Sequence, residues 1–132
     1  MSIKINDIYV KHYLINDELK INSKNTKHPT YIIGNHTCFH IEDSIHYKSL
    51  ISNNFIVYNK LITDTKQFEH SIDIYKNLLN NFDINKMVPI QVKYEPNIKK
   101  YIITDGVHRL SILLFKNMIK DNVPIKYLNL CK

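Results

Sequence analysis

Residues 104–111 read Thr-Asp-Gly-Val-His-Arg-Leu-Ser, placing an acid, a glycine, an imidazole, a guanidinium and a hydroxyl within one short stretch. The chain holds only two glycines, and one of them stands here. Gly106 permits a sharp turn or a positive φ and lets a ligand approach the backbone with no Cβ in the way. Arg109 offers a planar fork of donors that matches phosphate oxygens. His108 adds a second donor or a proton. If a helix starts at this point, its first N–H groups lack intrahelical acceptors and its dipole adds positive character. That combination is suited to binding phosphate. Ser111, one turn further on, faces the same anion or bonds back to the preceding turn. Asp105 either caps the helix, holds a divalent metal beside the phosphates, or receives a proton from an attacking hydroxyl. A carboxylate beside a bare anion repels it, so Asp105 favours a metal–nucleotide complex as the ligand.

Two other groups of residues carry chemical potential. His36, Cys38 and His40 in HTCFH share one face if the segment is a strand, and could then hold Zn²⁺ or copper, line a substrate pocket or simply pack. Glu42, His46 and Tyr47 in EDSIHY stand at an expected helix start. They either border a cleft opposite residues 104–111 or belong to a capped surface helix.

The elements that must position these residues follow from periodicity. Val88, Ile90, Val92 and Tyr94 alternate with Pro89, Gln91 and Lys93, and Glu95-Pro96-Asn97 supplies turn chemistry before KKYIIT, so residues 88–104 are expected to form a β-hairpin. Apolar residues at helical spacing, Phe68, Ile72, Tyr75, Leu78 and Leu79, predict a helix over 66–80. A second helix is expected from Val107 to about Lys120, with VPIKYLNL as a final strand. Upstream, residues 3–10 read as a strand irregular near Asn6-Asp7, and 11–29 as a loop or partly helical excursion. Residues 30–41 read as extended chain broken at Gly34-Asn35. Asp43-Ser44 then caps a short helix ended by Asn53-Asn54, and FIVYNKLI follows as helix or strand. The reading is one α+β domain over 1–132, a small mixed sheet with packed helices.

Composition sets the outer bounds. At 132 residues, 44% hydrophobic and 23% charged, the chain is long enough for one folded core and too apolar for disorder. The net charge of +6 favours anionic partners, nucleic acid among them, but the lysines are scattered and form no polyanion-binding tail. Two cysteines are too few for a disulfide framework and are expected as free thiols. No stretch approaches the ~18 apolar residues that span a bilayer, and MSIKINDIYV lacks the apolar centre of a signal peptide, so a cytoplasmic location away from membranes is expected.

The order HSIDIYKNLL, VPIQV, YIITDG, HRLSILLF resembles the ParB/sulfiredoxin superfamily over residues 67–128. Residues 1–66 match loosely, as an early strand followed by an insertion. The superfamily's sulfiredoxins carry a reactive cysteine where Val107 stands, so sulfinic acid reduction would need Cys38 as a substitute. Chromosome-partitioning members append a helix-turn-helix, for which a sequence ending at Lys132 leaves no room. The Asp-Gly-x-His-Arg form is most similar to the free-serine-kinase-like members. That resemblance implies ATP or a related nucleotide cradled by Gly106, Val107, His108 and Arg109, with Mg²⁺ at Asp105. Those members also use an upstream glutamate as general base; Glu42 or His46 would have to serve, at a different spacing. The resulting expectation is a nucleotide-binding phosphoryl-transfer or nucleotide-hydrolysing enzyme acting on a small hydroxyl-bearing substrate. A non-catalytic phosphate-sensing module and a ParB-like nuclease or nucleic-acid binder are the alternatives.

Overall fold

In the computed structural model, which describes residues 2–14, 17–23 and 25–131, the chain forms a mixed α+β fold. Its strands are β1 (Ser2–Lys4), β2 (Ile8–His12), β3 (Tyr31–Ile33), β4 (His36–His40), β5 (Ile90–Glu95), β6 (Lys100–Asp105), β7 (Asn122–Pro124) and β8 (Leu128–Cys131). Its helices are α1 (Asp17–Ser23), α2 (Ile45–Ser52), α3 (Ile56–Thr65), α4 (Ile72–Asn80) and α5 (Val107–Phe115). Six strands make one sheet in the order β3-β4-β2-β6-β5-β8, with β2–β6 and β5–β8 parallel and the other neighbours antiparallel. A separate ladder joins β1 to β7. No helix among the described residues is long and apolar enough to cross a membrane.

The pleat divides the core between two faces of the sheet. Ile8, Val10, Ile90, Val92 and Ile103 meet Leu110, Leu113 and Leu114 of α5 on one face. Each such side chain contributes about 1.5–3 kcal/mol on burial. Behind α5, Ile112 joins Leu50, Tyr58, Leu61 and Tyr75 in an interhelical cluster. The opposite face is covered without helices: Tyr9, Cys38 and Ile102 pack with Tyr31, Ile33 and Ile98. Cys38 and Cys131 are both free.

Local chemistry sets the element ends, and several differ from the expected ones. The irregularity at Asn6-Asp7 is a 3-10 turn over Ile5–Asp7 that separates β1 from β2. Within the 11–29 excursion α1 forms, while residues 15, 16 and 24 lie outside the described residues. Ser44 caps α2 by accepting from the Tyr47 N–H, and Asn53 ends it in the left-handed region. FIVYNKLI is helical, within α3. The helix expected over 66–80 begins at Ile72, because the Ser71 hydroxyl accepts from the Ile74 N–H and caps it there. Phe68 consequently sits on a 3-10 turn, 61% exposed. The second predicted helix ends at Phe115 rather than near Lys120. Asn117 takes φ 56°, the Met118 N–H bonds the Leu113 carbonyl, and the Asn117 N–H bonds that of Leu114. This Schellman closure uses asparagine where glycine is usual. VPIKYLNL is two strands rather than one: a 3-10 turn over Ile125–Tyr127 passes the chain from the small ladder to the edge of the large sheet.

Candidate functional site

β6 lies inside the sheet between β2 and β5, and its apolar Ile102 and Ile103 are buried on opposite faces. The strand ends at Asp105, Gly106 turns the chain at φ 110°, and α5 starts at Val107. Gly106 occupies the N-cap and no side chain caps the helix. The capping role open to Asp105 is therefore not taken. Its carboxylate, in a residue whose side chain is 64% exposed, pairs with the Arg109 guanidinium, Oδ2 to Nη2 at 3.2 Å. That contact is an ion pair without hydrogen-bond alignment, and Arg109 Nη2 is a buried nitrogen with no hydrogen-bond acceptor.

Arg109 folds back over the glycine. A Cβ built on Gly106 would stand 2.8 Å from Arg109 Nη2, 3.1 Å from its Nε and 3.1 Å from Ile90 Cγ2. The absence of a side chain at 106 is thus what admits the guanidinium. In front of the turn opens a cleft of about 810 Å³, within the range of small-molecule sites. Thr104, Asp105, Gly106, Val107, His108 and Arg109 line one end of it. Lys11 and Lys86 add positive charge, Asp83 opposes it, and Leu61, Ile74, Leu78, Phe82 and Met87 give an apolar wall.

His108 is turned into the protein. Tyr58 donates its O–H to the His70 carbonyl at 2.5 Å and lies 2.8 Å from His108 Nε2. With its only hydrogen committed, the hydroxyl can only accept, which assigns the His108 proton to Nε2. The His108 ring stacks on His70 at 4.6 Å and meets His46 and Tyr75 edge-on. Burial first, then His70 and Arg109, push its pKa down to about 3 against the pull of Asp105. His108 is therefore an uncharged ring at neutral pH, whose Nε2 hydrogen is already used. Tyr58→Phe should leave that N–H unpartnered and cost about 1–3 kcal/mol, read as a lower urea midpoint.

His46 lies beneath the cleft floor, stacked on His12 with ring planes 5° apart. His46 Nδ1 and His12 Nε2 are buried without partners. Burial holds His46 well below the ordinary histidine range, with His108, His12 and His70 adding to the effect. Ser111 is wholly buried, and its hydroxyl makes neither the back-bond to the preceding turn nor any other hydrogen bond.

Glu42 does not line this cleft. It follows β4, and its Oε1 lies 3.5 Å from His28 Nε2 and 3.7 Å from His40 Nδ1. His40 belongs to the helix-free face, in edge contact with Tyr9. The HTCFH trio does not converge as a metal site. Among the described residues the one set of three His, Cys, Asp or Glu side chains whose ligand atoms come together is His28, His40 and Glu42, and Asp105 is in no such set. Cys38 is buried on the helix-free face, its thiol raised by burial, and is no substitute for a cysteine at position 107.

Sequence reasoning missed His12, Tyr58 and the Lys11 and Lys86 edge of the cleft. His12 had one available signal, its alternation with Ile8 and Val10 on the buried side of β2. No family model, curated protein or solved structure matches the chain.

Proposed function

We propose that the chain is a nucleotide-binding domain of ParB/sulfiredoxin type, and that its cleft supports metal-dependent phosphoryl transfer or nucleotide hydrolysis. One observation carries the reading: an uncapped helix start, stripped of its Cβ at Gly106, with the Arg109 guanidinium laid across it and a cleft in front. Phosphate oxygens would take the free amides of α5 and the Arg109 donors. The apolar wall formed by Ile74, Leu78 and Met87 suits a base or another flat apolar group.

Asp105 fits a divalent ion that arrives with the nucleotide. Mg²⁺ is held by one or two carboxylates together with substrate phosphates, and Asp105 offers one such exposed carboxylate beside the phosphate end. The bound ion would supply charge neutralisation on the phosphates. Asp105 would hold it, Arg109 would orient the anion, and Asp105 is also the loop group able to accept a proton from an attacking hydroxyl.

A second reading, a nucleotide- or phosphate-sensing module without turnover, is favoured by a separate observation. Glu42 lies outside the cleft, and burial makes His108 and His46 weak bases, so none of the three partners expected for Asp105 is poised for proton transfer. The test is a nucleotide panel with and without Mg²⁺, read as thermal shift and as product formation. Arg109→Ala should weaken ATP binding by about 1.5–3 kcal/mol, roughly 10- to 150-fold. Equal shifts in parent and variant would dispose of the site. Binding without product selects the sensing module.

A further inference from the structure

Two imidazoles and a carboxylate converge on the helix-free face of the sheet, away from the cleft. His28 Nε2, Glu42 Oε1 and a ring nitrogen of His40 lie within 4.8 Å of one another. A tetrahedral zinc ion bound at about 2.0–2.2 Å sets its ligand atoms roughly 3.4 Å apart. Glu42 Oε1 stands 3.5 Å from His28 Nε2 and 3.7 Å from His40 Nδ1, so two edges of that tetrahedron are nearly in place.

The surroundings hold the three in register. The Asp43 carboxylate accepts the Lys27 N–H and the His28 N–H, each at 2.9 Å, and pins the segment bearing His28 to the turn bearing Glu42. His40 is wholly buried. Its Nδ1 accepts the Glu42 N–H at 3.1 Å, so the ring hydrogen is on Nε2, which is buried without a hydrogen-bond partner. That tautomer leaves Nδ1 unprotonated on the side of Glu42, the form in which an imidazole nitrogen binds a metal once it gives up the Glu42 N–H.

We propose that His28, His40 and Glu42 form a binding site for a divalent zinc-class transition-metal ion, with a fourth coordination position open to water. Two imidazoles select zinc, cobalt, nickel or copper over the hard cations Mg²⁺ and Ca²⁺. Binding requires two local changes. The His28 and His40 rings are stacked at 3.7 Å and 20°, and an in-plane lone pair from each reaches a shared ion only when the rings splay. His28, with its side chain 29% exposed, is the ring with room to tip, while enclosed His40 exchanges the Glu42 N–H for the ion. An ion here ties the segment before β3 to the end of β4, a link that stabilises the folded chain by mass action.

The experiment is a titration of the chelator-stripped chain with Zn²⁺ by calorimetry and with Co²⁺ by visible absorption. One ion per chain is expected, with the d–d bands of four-coordinate cobalt and a rise in melting temperature. His28→Ala and Glu42→Gln should each weaken binding by roughly 100-fold, at the upper end of what even an outer partner of a metal ligand contributes. Both side chains are partly exposed, and the Asp43 clamp uses the His28 backbone, which the alanine variant keeps. His36→Ala should bind as the parent does. No Zn²⁺ binding by the parent, unchanged affinity in either ligand variant, or loss of binding in His36→Ala would each overturn the site.

Discussion

Taking the protein from pH 7 to pH 5 should remove several kcal/mol of its stability. His12 and His40 are pushed down to about 4 and His108 to about 3, in each case chiefly by burial, while an unfolded histidine titrates near 6.5. Above pH 6.5 these rings are neutral in both states and the shifts cost nothing. Below it the unfolded chain takes up protons that the folded chain refuses, so stability falls steadily down to about pH 4. Each of the three contributes about 2 kcal/mol of loss at pH 5, at about 1.4 kcal/mol per unit of pH. Together that rivals the 5–15 kcal/mol that holds a typical domain folded. Urea denaturation at a series of pH values measures it directly. A stability that stays flat between pH 7 and 5 would show that the rings are hydrated or paired in solution. His12→Gln should make the slope shallower by one histidine's share.

Gly106→Ala should cripple the fold locally and the proposed anion site altogether. At φ 110° an L-residue is strained, by about 1–3 kcal/mol for such positions. The added methyl would also stand 2.8 Å from Arg109 Nη2 and 3.1 Å from Ile90 Cγ2. The guanidinium is the softer neighbour and would be displaced from the helix start. Nucleotide affinity should therefore fall at least as far as in Arg109→Ala, alongside a lower melting temperature. The other glycine supplies the control. Gly34, at φ 58°, has no atom within 4 Å of the position a Cβ would take, and asparagine tolerates that backbone region. Gly34→Asn should cost under about 1 kcal/mol and leave binding intact. Equal behaviour of the two variants would contradict the close approach of Arg109 to Gly106.

How far these features were legible in the sequence depended on whether their causes were local. The β5–β6 hairpin was plain because alternation and the Glu95-Pro96-Asn97 corner lie within one short segment, and Asp105, Gly106 and Arg109 come together because a strand runs directly into a helix. Helix ends were harder. Asparagine is abundant in this chain, so nothing distinguished Asn117, which takes the left-handed turn, from the others. Long-range placement was invisible. Glu42 and His46 are close in sequence, yet the 3-10 turn at Ile41–Asp43 sends one to the helix-free side and the other beneath the cleft. The pairing of His28 with His40 depends on the Asp43 clamp, a pair of backbone bonds that no periodicity announces.

The small ladder has a kinetic consequence. Ser2–Lys4 pair with Asn122–Pro124, and the Ile5 N–H bonds the Asp121 carbonyl, so these partners lie far apart along the chain. β5 must likewise wait for β8 at its open edge. Contacts of such wide sequence separation close late and slow the search for the native state. During synthesis the apolar Ile3 and Ile5 therefore stay without this partner strand until β7 has been made.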